Sequence, residues 1–266
     1  MKYLITLLCL SLASFANITT ALEKNSTAVK ELSYQIVAER SHKPSLFTQG
    51  LFLKDDHFYE SSGLYAKSSI VSYPVEEPAS AWAKLSAPFT HKQTIPDRYF
   101  AEGLTLHNNK IYVITWQEET LFVFDAEHFN LLKTLSYKGE GWGLTSDGKY
   151  LIRSDGSENL FFHDAENFAQ QKILPVTINT QPIRNINELE YIEGFIWANI
   201  WHENRIIKID PATGNVVGNL DLSPIIKQLN LKDSESVLNG IAYDASKKAL
   251  WITGKQWPKM FLLKIQ

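Results

Sequence analysis

One cysteine, two methionines and no apolar run of membrane-spanning length are the shortages that first constrain this 266-residue chain. The lone Cys9 lies close to the N-terminus, so the body of the chain has no thiol. That excludes a disulfide framework and a cysteine nucleophile. The longest N-terminal apolar stretch, residues 3–12, is broken by Thr6 and Ser11 and is too short to cross a bilayer. Charge of one sign is not in excess either: 26 Lys and Arg face 29 Asp and Glu, a formal net charge of −3. Nothing in that balance calls for nucleic acid or an anionic membrane as a partner. Seven histidines are scattered without His-Glu-x-x-His or comparable spacing, so a catalytic zinc site is unsupported. There is no Gly-x-Ser-x-Gly nucleophile elbow, and the Gly139-x-Gly141-x-Gly143 string opens no helix, as a phosphate cradle would require.

The N-terminus has the layout of an export signal. Lys2 gives a positive start, residues 3–12 the apolar core, and Ser14 and Ala16, or Thr19 and Ala21, the small residues of a cleavage site. The expected organisation is a signal peptide over residues 1–21 cut near 16 or 21, a polar lead-in over 22–31, and one domain over 32–266. Too few residues precede Cys9 for a lipoprotein anchor, so the mature chain is expected in the periplasm or secreted, free of the membrane and monomeric.

What the chain has in abundance is aromatic: seven Trp, eleven Tyr and fourteen Phe, a load that favours sheet over helix. A short turn followed by Leu or Ile recurs five times, at Gln49-Gly50-Leu51, Glu102-Gly103-Leu104, Trp142-Gly143-Leu144, Asn187-Glu188-Leu189 and Asn239-Gly240-Ile241. The intervals between the middle residues are 53, 40, 45 and 52, close to one four-stranded propeller blade. After each turn comes a second apolar strand, at 57–61, 110–116, 150–154, 195–201 and 250–254. A third follows at 68–73, 120–125, 159–164, 205–210 and 260–265, with alternation visible in Leu121-Phe122-Val123-Phe124. Fourth strands are expected at 81–86, 131–137, 172–176 and 216–222. The fifth copy has none, because the sequence stops at Gln266, and residues 32–39 supply the missing strand. The expected fold is therefore all-β, a five-bladed β-propeller whose last blade is closed by the N-terminal strand. A short helix at 222–231 would sit between blades four and five.

In such a ring the turns entering the innermost strands crowd together at one end of the axis. Their first residues, Gln49, Glu102, Trp142, Asn187 and Asn239, differ from copy to copy, and four of the five are polar. They either cap strand ends or line a ligand site, and Trp116, Trp201 and Lys255 end second strands at comparable depth. Lys255 is the sharper signal, because an inward-facing ammonium needs a partner or a ligand. Trp257-Pro258 would wall the same opening, while His42 and His202 nearby are expected to be structural or at the surface.

These residues also carry a resemblance. Phe47-Thr48-Gln49-Gly50-Leu51, Glu102-Gly103-Leu104-Thr105, Gly139-Glu140-Gly141-Trp142-Gly143-Leu144, Asn187-Glu188-Leu189-Glu190, Leu238-Asn239-Gly240-Ile241 and Thr253-Gly254-Lys255-Gln256-Trp257-Pro258 resemble the glutamine cyclotransferase family of plants and bacteria. The likeness runs over residues 33–266. It implies a five-bladed propeller that converts the N-terminal glutamine of peptides or proteins to pyroglutamate with release of ammonia. It also implies catalytic roles for Glu102, Asn187 and Lys255, and substrate-binding roles for Phe47, Gln49, Trp116, Trp142 and Trp201. No cofactor is implied for catalysis, though a structural metal ion in the central channel is compatible with the sequence. One departure stands out: where the family has Gly after Leu-Tyr, this chain has Ala66. Two rivals fit the same ring, a non-catalytic periplasmic propeller that binds a peptide or ligand, and a calcium-dependent lactonase-like propeller using Glu102, Asn187 and Asn239.

Overall fold

Turn chemistry and strand alternation cut this sequence into short antiparallel ladders, and the computed structural model describes them over residues 28–77 and 88–266. The expected signal peptide and the strand expected at 81–86 lie outside the described residues. Each repeat forms one antiparallel sheet. The innermost strands are Thr48–Lys54, Ala101–His107, Leu144–Ser146, Ile186–Ile192 and Leu238–Asp244. The second strands, His57–Ser62, Lys110–Thr115, Tyr150–Arg153, Phe195–Ile200 and Ala249–Gly254, follow within a residue or two of expectation, as do the third. The outer strand of the first sheet is His91–Thr94, paired with Ser69–Pro74. Strand Tyr34–Ser41 lies antiparallel to Lys259–Ile265 at the outer edge of the fifth sheet.

The five inner strands neighbour one another in a cycle, first to second to third to fourth to fifth and back to the first. This is a five-bladed β-propeller. Its apolar core is divided accordingly, with one cluster between each adjacent pair of sheets. Phe52, Ile70, Leu104 and Ile111 pack between the first and second, and Leu51, Phe58, Trp251 and Met260 between the fifth and first. Full burial of each such side chain contributes about 1.5–3 kcal/mol. These clusters lie between sheets, so each blade buries its apolar faces against its two neighbours.

The middle residue of each repeated turn shows how tightly the ring closes on its axis. A Cβ on Gly103 or Gly143 would collide with the backbone of the next blade, at Leu144 and Asn187 respectively. Glycine is required there by contact. In the fourth copy the position is Glu188, whose fully buried carboxylate accepts from Leu51 N at 3.3 Å and Ile241 N at 2.9 Å. One side chain thus ties blade four to blades one and five across the axis.

Two features depart from expectation. Lys30–Glu31, expected to belong to a polar lead-in, pairs in parallel with the outer strand Val216–Asp221, whose edge offers free backbone groups. A two-residue hairpin, Thr177–Ile178 with Gln181–Pro182, joins blades three and four. The helix Ser223–Leu229 forms where its spacing placed it, with Pro224 in its first turn and Asn230 left-handed at its end. No helix among the described residues is long and apolar enough to cross a membrane.

Candidate active site

The pairing register slips at the start of four inner strands: between Thr48 and Gly50, Ala101 and Leu104, Ile186 and Leu189, and Leu238 and Ile241. A bulge leaves a residue out of the ladder and re-aims its side chain. The residues at these slips are Gln49, Glu102, Asn187 and Asn239. Trp142 stands just before the inner strand of the third sheet. Trp116, Trp201 and Lys255 each follow the last residue of a second strand.

Between them lies a cavity of about 230 Å³, which all of these but Asn239 line. Phe47, Gln49, Glu102, Trp116, Trp142, Asn187, Trp201 and Lys255 all line it, so the catalytic and substrate-binding residues that the resemblance implies come together in one place. Three further residues line it that sequence reasoning missed: Leu64, Phe100 and Glu235. Leu64 and Phe100 are apolar and hold no marked position in the repeat, and Glu235 lies in the insertion before the fifth sheet, where no repeat guides the eye. Leu64 does carry a structural mark, a φ of 82° that a non-glycine residue adopts only under constraint.

Two expectations are corrected. Asn239 sits behind the cavity, donating Nδ2 to Thr48 O at 2.9 Å and to Gln49 Oε1 at 3.3 Å. It therefore orients Gln49 instead of facing a ligand. Trp257 does not wall the opening; it is fully buried and donates Nε1 to Ser236 O at 2.9 Å, and Pro258 is outside the lining as well. His42 is buried in a separate network, its Nε2 3.2 Å from the Glu60 carboxylate. His202 lies half-exposed on Trp201, ring centroids 4.3 Å apart, with Nε2 3.7 Å from Glu235.

The aromatic walls meet edge to face. Trp142 and Trp201 are 5.4 Å apart at 86°, and Phe100 and Trp116 5.7 Å apart at 67°. Trp116 and Trp142 both donate their Nε1–H to Glu140. Against these walls stand a few polar groups. Gln49 Nε2 donates to Glu102 Oε1 at 3.0 Å, and Ser61 Oγ holds the Glu102 carbonyl at 2.5 Å. Lys255 Nζ lies 4.9 Å from the centre of the Phe47 ring. Asn187 Oδ1 and Trp201 Nε1 are buried with no hydrogen-bond partner. Both residues line the cavity, and an unpaired donor and acceptor beside it are complementary to a ligand that brings both.

Burial pushes the Glu102 carboxyl well above the usual carboxylate range; Lys255 pulls it back, while Glu140 and Glu118 push it further up. Burial likewise lowers Lys255, against the pull of Glu102 and Glu235. Each group is driven toward its neutral form by desolvation and toward its charged form by the other. That is the setting in which a carboxyl can take and return a proton near neutral pH. Among the described residues no three His, Cys, Asp or Glu side chains come together as a metal site.

Residues 7–265 match the family model described as glutamine cyclotransferase. The chain belongs to the glutamine cyclotransferase family. A glutaminyl-peptide cyclotransferase of Arabidopsis thaliana is 35% identical over 237 residues, covering 87% of this chain and 71% of the relative. The crystal structure of Myxococcus xanthus glutaminyl cyclase superposes with a TM-score of 0.81 at 34% identity, over 90% of this chain and 98% of that one. The resemblance read from the sequence, the propeller fold and the assignment to an enzyme of the cyclotransferase type are borne out by this membership and these relatives.

Proposed function

We propose that this protein is a glutaminyl-peptide cyclotransferase, closing the N-terminal glutamine of a peptide or protein to pyroglutamate and releasing ammonia. The observation that carries the reading is one buried carboxyl, Glu102, held by Gln49 in a cavity that Asn187, Lys255 and the rings of Trp116, Trp142 and Trp201 also line. At about 230 Å³ the space is below the ~300–1,000 Å³ usual for drug-sized ligands, which suits one terminal residue with the rest of the peptide outside.

The reaction needs little more than orientation and one proton carrier. The α-amine nitrogen attacks Cδ, the carbon of the side-chain carboxamide, a C–N bond forms, and the carbonyl π pair moves onto oxygen. Ionised Glu102 takes the proton from the attacking nitrogen. When the oxyanion collapses, the bond to the amide nitrogen breaks and Glu102 returns the proton, so ammonia leaves and the carboxylate is regenerated. Such proton transfer contributes about 10²–10⁴-fold. A carboxyl with an ordinary pKa would be a poor acid–base partner at neutral pH, so the burial of Glu102 has a chemical use. The Trp201 N–H and the Lys255 ammonium are the donors available to the oxyanion. Asn187 Oδ1 accepts from the amide NH₂ and so reads a carboxamide in preference to a carboxylate. The walls of Trp116, Trp142 and Trp201 exclude water and hold the side chain folded back, which supplies the orientation of an intramolecular attack.

Purified protein is expected to release ammonia from a Gln-initiated peptide, and Glu102→Gln to lose turnover with its fold intact. Undiminished turnover in that variant overturns the assignment of Glu102. A Glu-initiated peptide should be a far poorer substrate, and Asn187→Leu, which removes the acceptor, should erode that preference. The N-terminal run at residues 3–12 supports an exported protein, periplasmic or secreted, which fractionation of expressing cells tests.

A further inference from the structure

Glu140 belongs to the Gly139-Glu140-Gly141 string, touches none of the groups assigned to the reaction chemistry, and is only partly buried. Yet its single atom Oε2 accepts from both Trp116 Nε1 and Trp142 Nε1, at 2.9 Å in each case. Its other oxygen accepts from Gln117 Nε2 at 3.2 Å. Burial opposes its ionisation, but the donors from Trp142, Gln117 and Trp116 outweigh it and hold the carboxyl below its ordinary value. The two indoles come from different sheets: Trp116 ends a strand of the second, and Trp142 opens the third. Nothing else among their polar contacts fixes one ring relative to the other.

The loop bearing Glu140 is itself held from behind. The buried Arg153 guanidinium lies over the rings of Tyr137 and Phe161, 5.0 and 4.5 Å from their centres. It donates Nη1 to Glu140 O and Nη2 to Lys138 O. Gly141 N donates to Trp116 O at 2.9 Å, and a Cβ at Gly141 would collide with the Tyr137 hydroxyl. The carboxylate is thus presented by a rigid loop. The third wall, Trp201, makes no such bond and rests edge-on against Trp142. Setting Trp142 therefore also sets Trp201.

We propose that Glu140 is a positioning residue, whose one oxygen locks Trp116 and Trp142 as facing walls of the cavity and so fixes the fold-back of the bound side chain. What is held between the walls rests on the cyclotransferase reading; the lock on the indoles does not. An intramolecular attack depends steeply on the angle and distance of approach, so loosened walls lower kcat as well as raising KM. A gap confined to binding would raise KM alone.

The test compares wild type with E140A, E140D and E140Q by steady-state ammonia release from a Gln-initiated peptide and by near-ultraviolet circular dichroism of the indoles. Loss of charge-assisted hydrogen bonds of this kind corresponds to about tenfold or more. E140A is expected to lose about that much in kcat/KM, with part of the loss in kcat, and to show an altered indole spectrum at unchanged far-ultraviolet signal. E140Q keeps an oxygen in place and is expected within about threefold of wild type. E140D, one methylene shorter, cannot bridge both nitrogens and should resemble E140A; it decides the matter if E140A does not fold. Wild-type kinetics and indole spectrum in a folded E140A or E140D overturn the proposal, as does E140Q falling as far as E140A. If wild type itself releases no ammonia, the cyclotransferase reading fails, and the indole spectra alone still decide the lock.

Discussion

Gln49 on the first blade donates its Nε2–H to Glu102 Oε1 on the second, at 3.0 Å, and both side chains are almost wholly buried. The donor is aimed because Asn239 on the fifth blade grips the amide oxygen of Gln49 from behind, at 3.3 Å. Three blades therefore converge on one carboxylate oxygen. A hydrogen bond to a charged group contributes about 1.5–3 kcal/mol, and this one favours the ionised form that accepts the proton. Gln49→Leu is expected to lower kcat/KM by about ten- to a hundredfold with little change in melting temperature. Asn239→Ala should lose less, since Gln49 keeps its reach and only its aim is loosened. A larger loss in Asn239→Ala than in Gln49→Leu would contradict that order.

The pH dependence follows from the opposed effects on Glu102. Burial raises its pKa and the Lys255 ammonium lowers it. The acid limb of kcat/KM should therefore lie above the ordinary carboxylate range. Removing the cation in Lys255→Met deletes the lowering influence, so the limb must move to higher pH, with less activity at every pH below it. Profiles of kcat/KM against pH for the two proteins check the sign. An unmoved limb would mean that Lys255 does not act on Glu102 through its charge.

Much of this site was legible in the sequence because the repeat exposes what varies. Gly50, Gly103 and Gly143 share one position for reasons of close approach, Glu188 and Gly240 (φ 123°) occupy it in the last two copies, and the residues before it are free to differ. That contrast singled out Gln49, Glu102, Trp142 and Asn187, and all four line the cavity. The same logic failed for Asn239, because a common position in the repeat does not give a common depth: its amide turns back onto Thr48 and Gln49. Leu64 and Phe100 were illegible since apolar residues in a cavity wall look like core residues. Glu235 was illegible because it lies in an insertion with no counterpart in the other blades. Trp257 misled by its neighbourhood, being adjacent in sequence to the cavity residue Lys255 yet turned into the core.

Glu188 gives a prediction about stability. Burial foremost, with Glu190 beside it, raises its carboxyl well above the usual range. A carboxyl raised in the folded state binds its proton more tightly there than in the unfolded chain. Its contribution therefore favours folding below the unfolded pKa and declines as pH rises toward the folded value, by at most ~1.4 kcal/mol per pH unit. Leu51 N donates to one oxygen and Ile241 N to the other, so Glu188→Gln keeps one acceptor, loses the second, and removes the titration. The variant should lose stability relative to wild type at pH 4 and recover ground as pH rises through 7. Melting temperatures of the pair across that range measure the difference directly, and a gap that widens with pH would reverse the argument.

Ala66 stands where the resemblance read from the sequence leads glycine to be expected, and its backbone explains why glycine suits the position. Its φ is 61°, in the left-handed region, with its N–H donating to Asp97 O at 3.1 Å. An L-residue held there costs about 1–2 kcal/mol. Ala66→Gly relieves that strain but adds freedom to the unfolded chain, a penalty of about 0.4–1 kcal/mol. The strain is the larger of the two. The substitution should therefore raise stability by up to about 1 kcal/mol, and for a domain of this size a melting temperature by roughly 1–4 °C. Because Ala66 is exposed and outside the cavity lining, KM for a Gln-initiated peptide should stay within about twofold of wild type. A lowered melting temperature would show that the turn is held by its bond to Asp97 strongly enough for the left-handed conformation to carry no net strain.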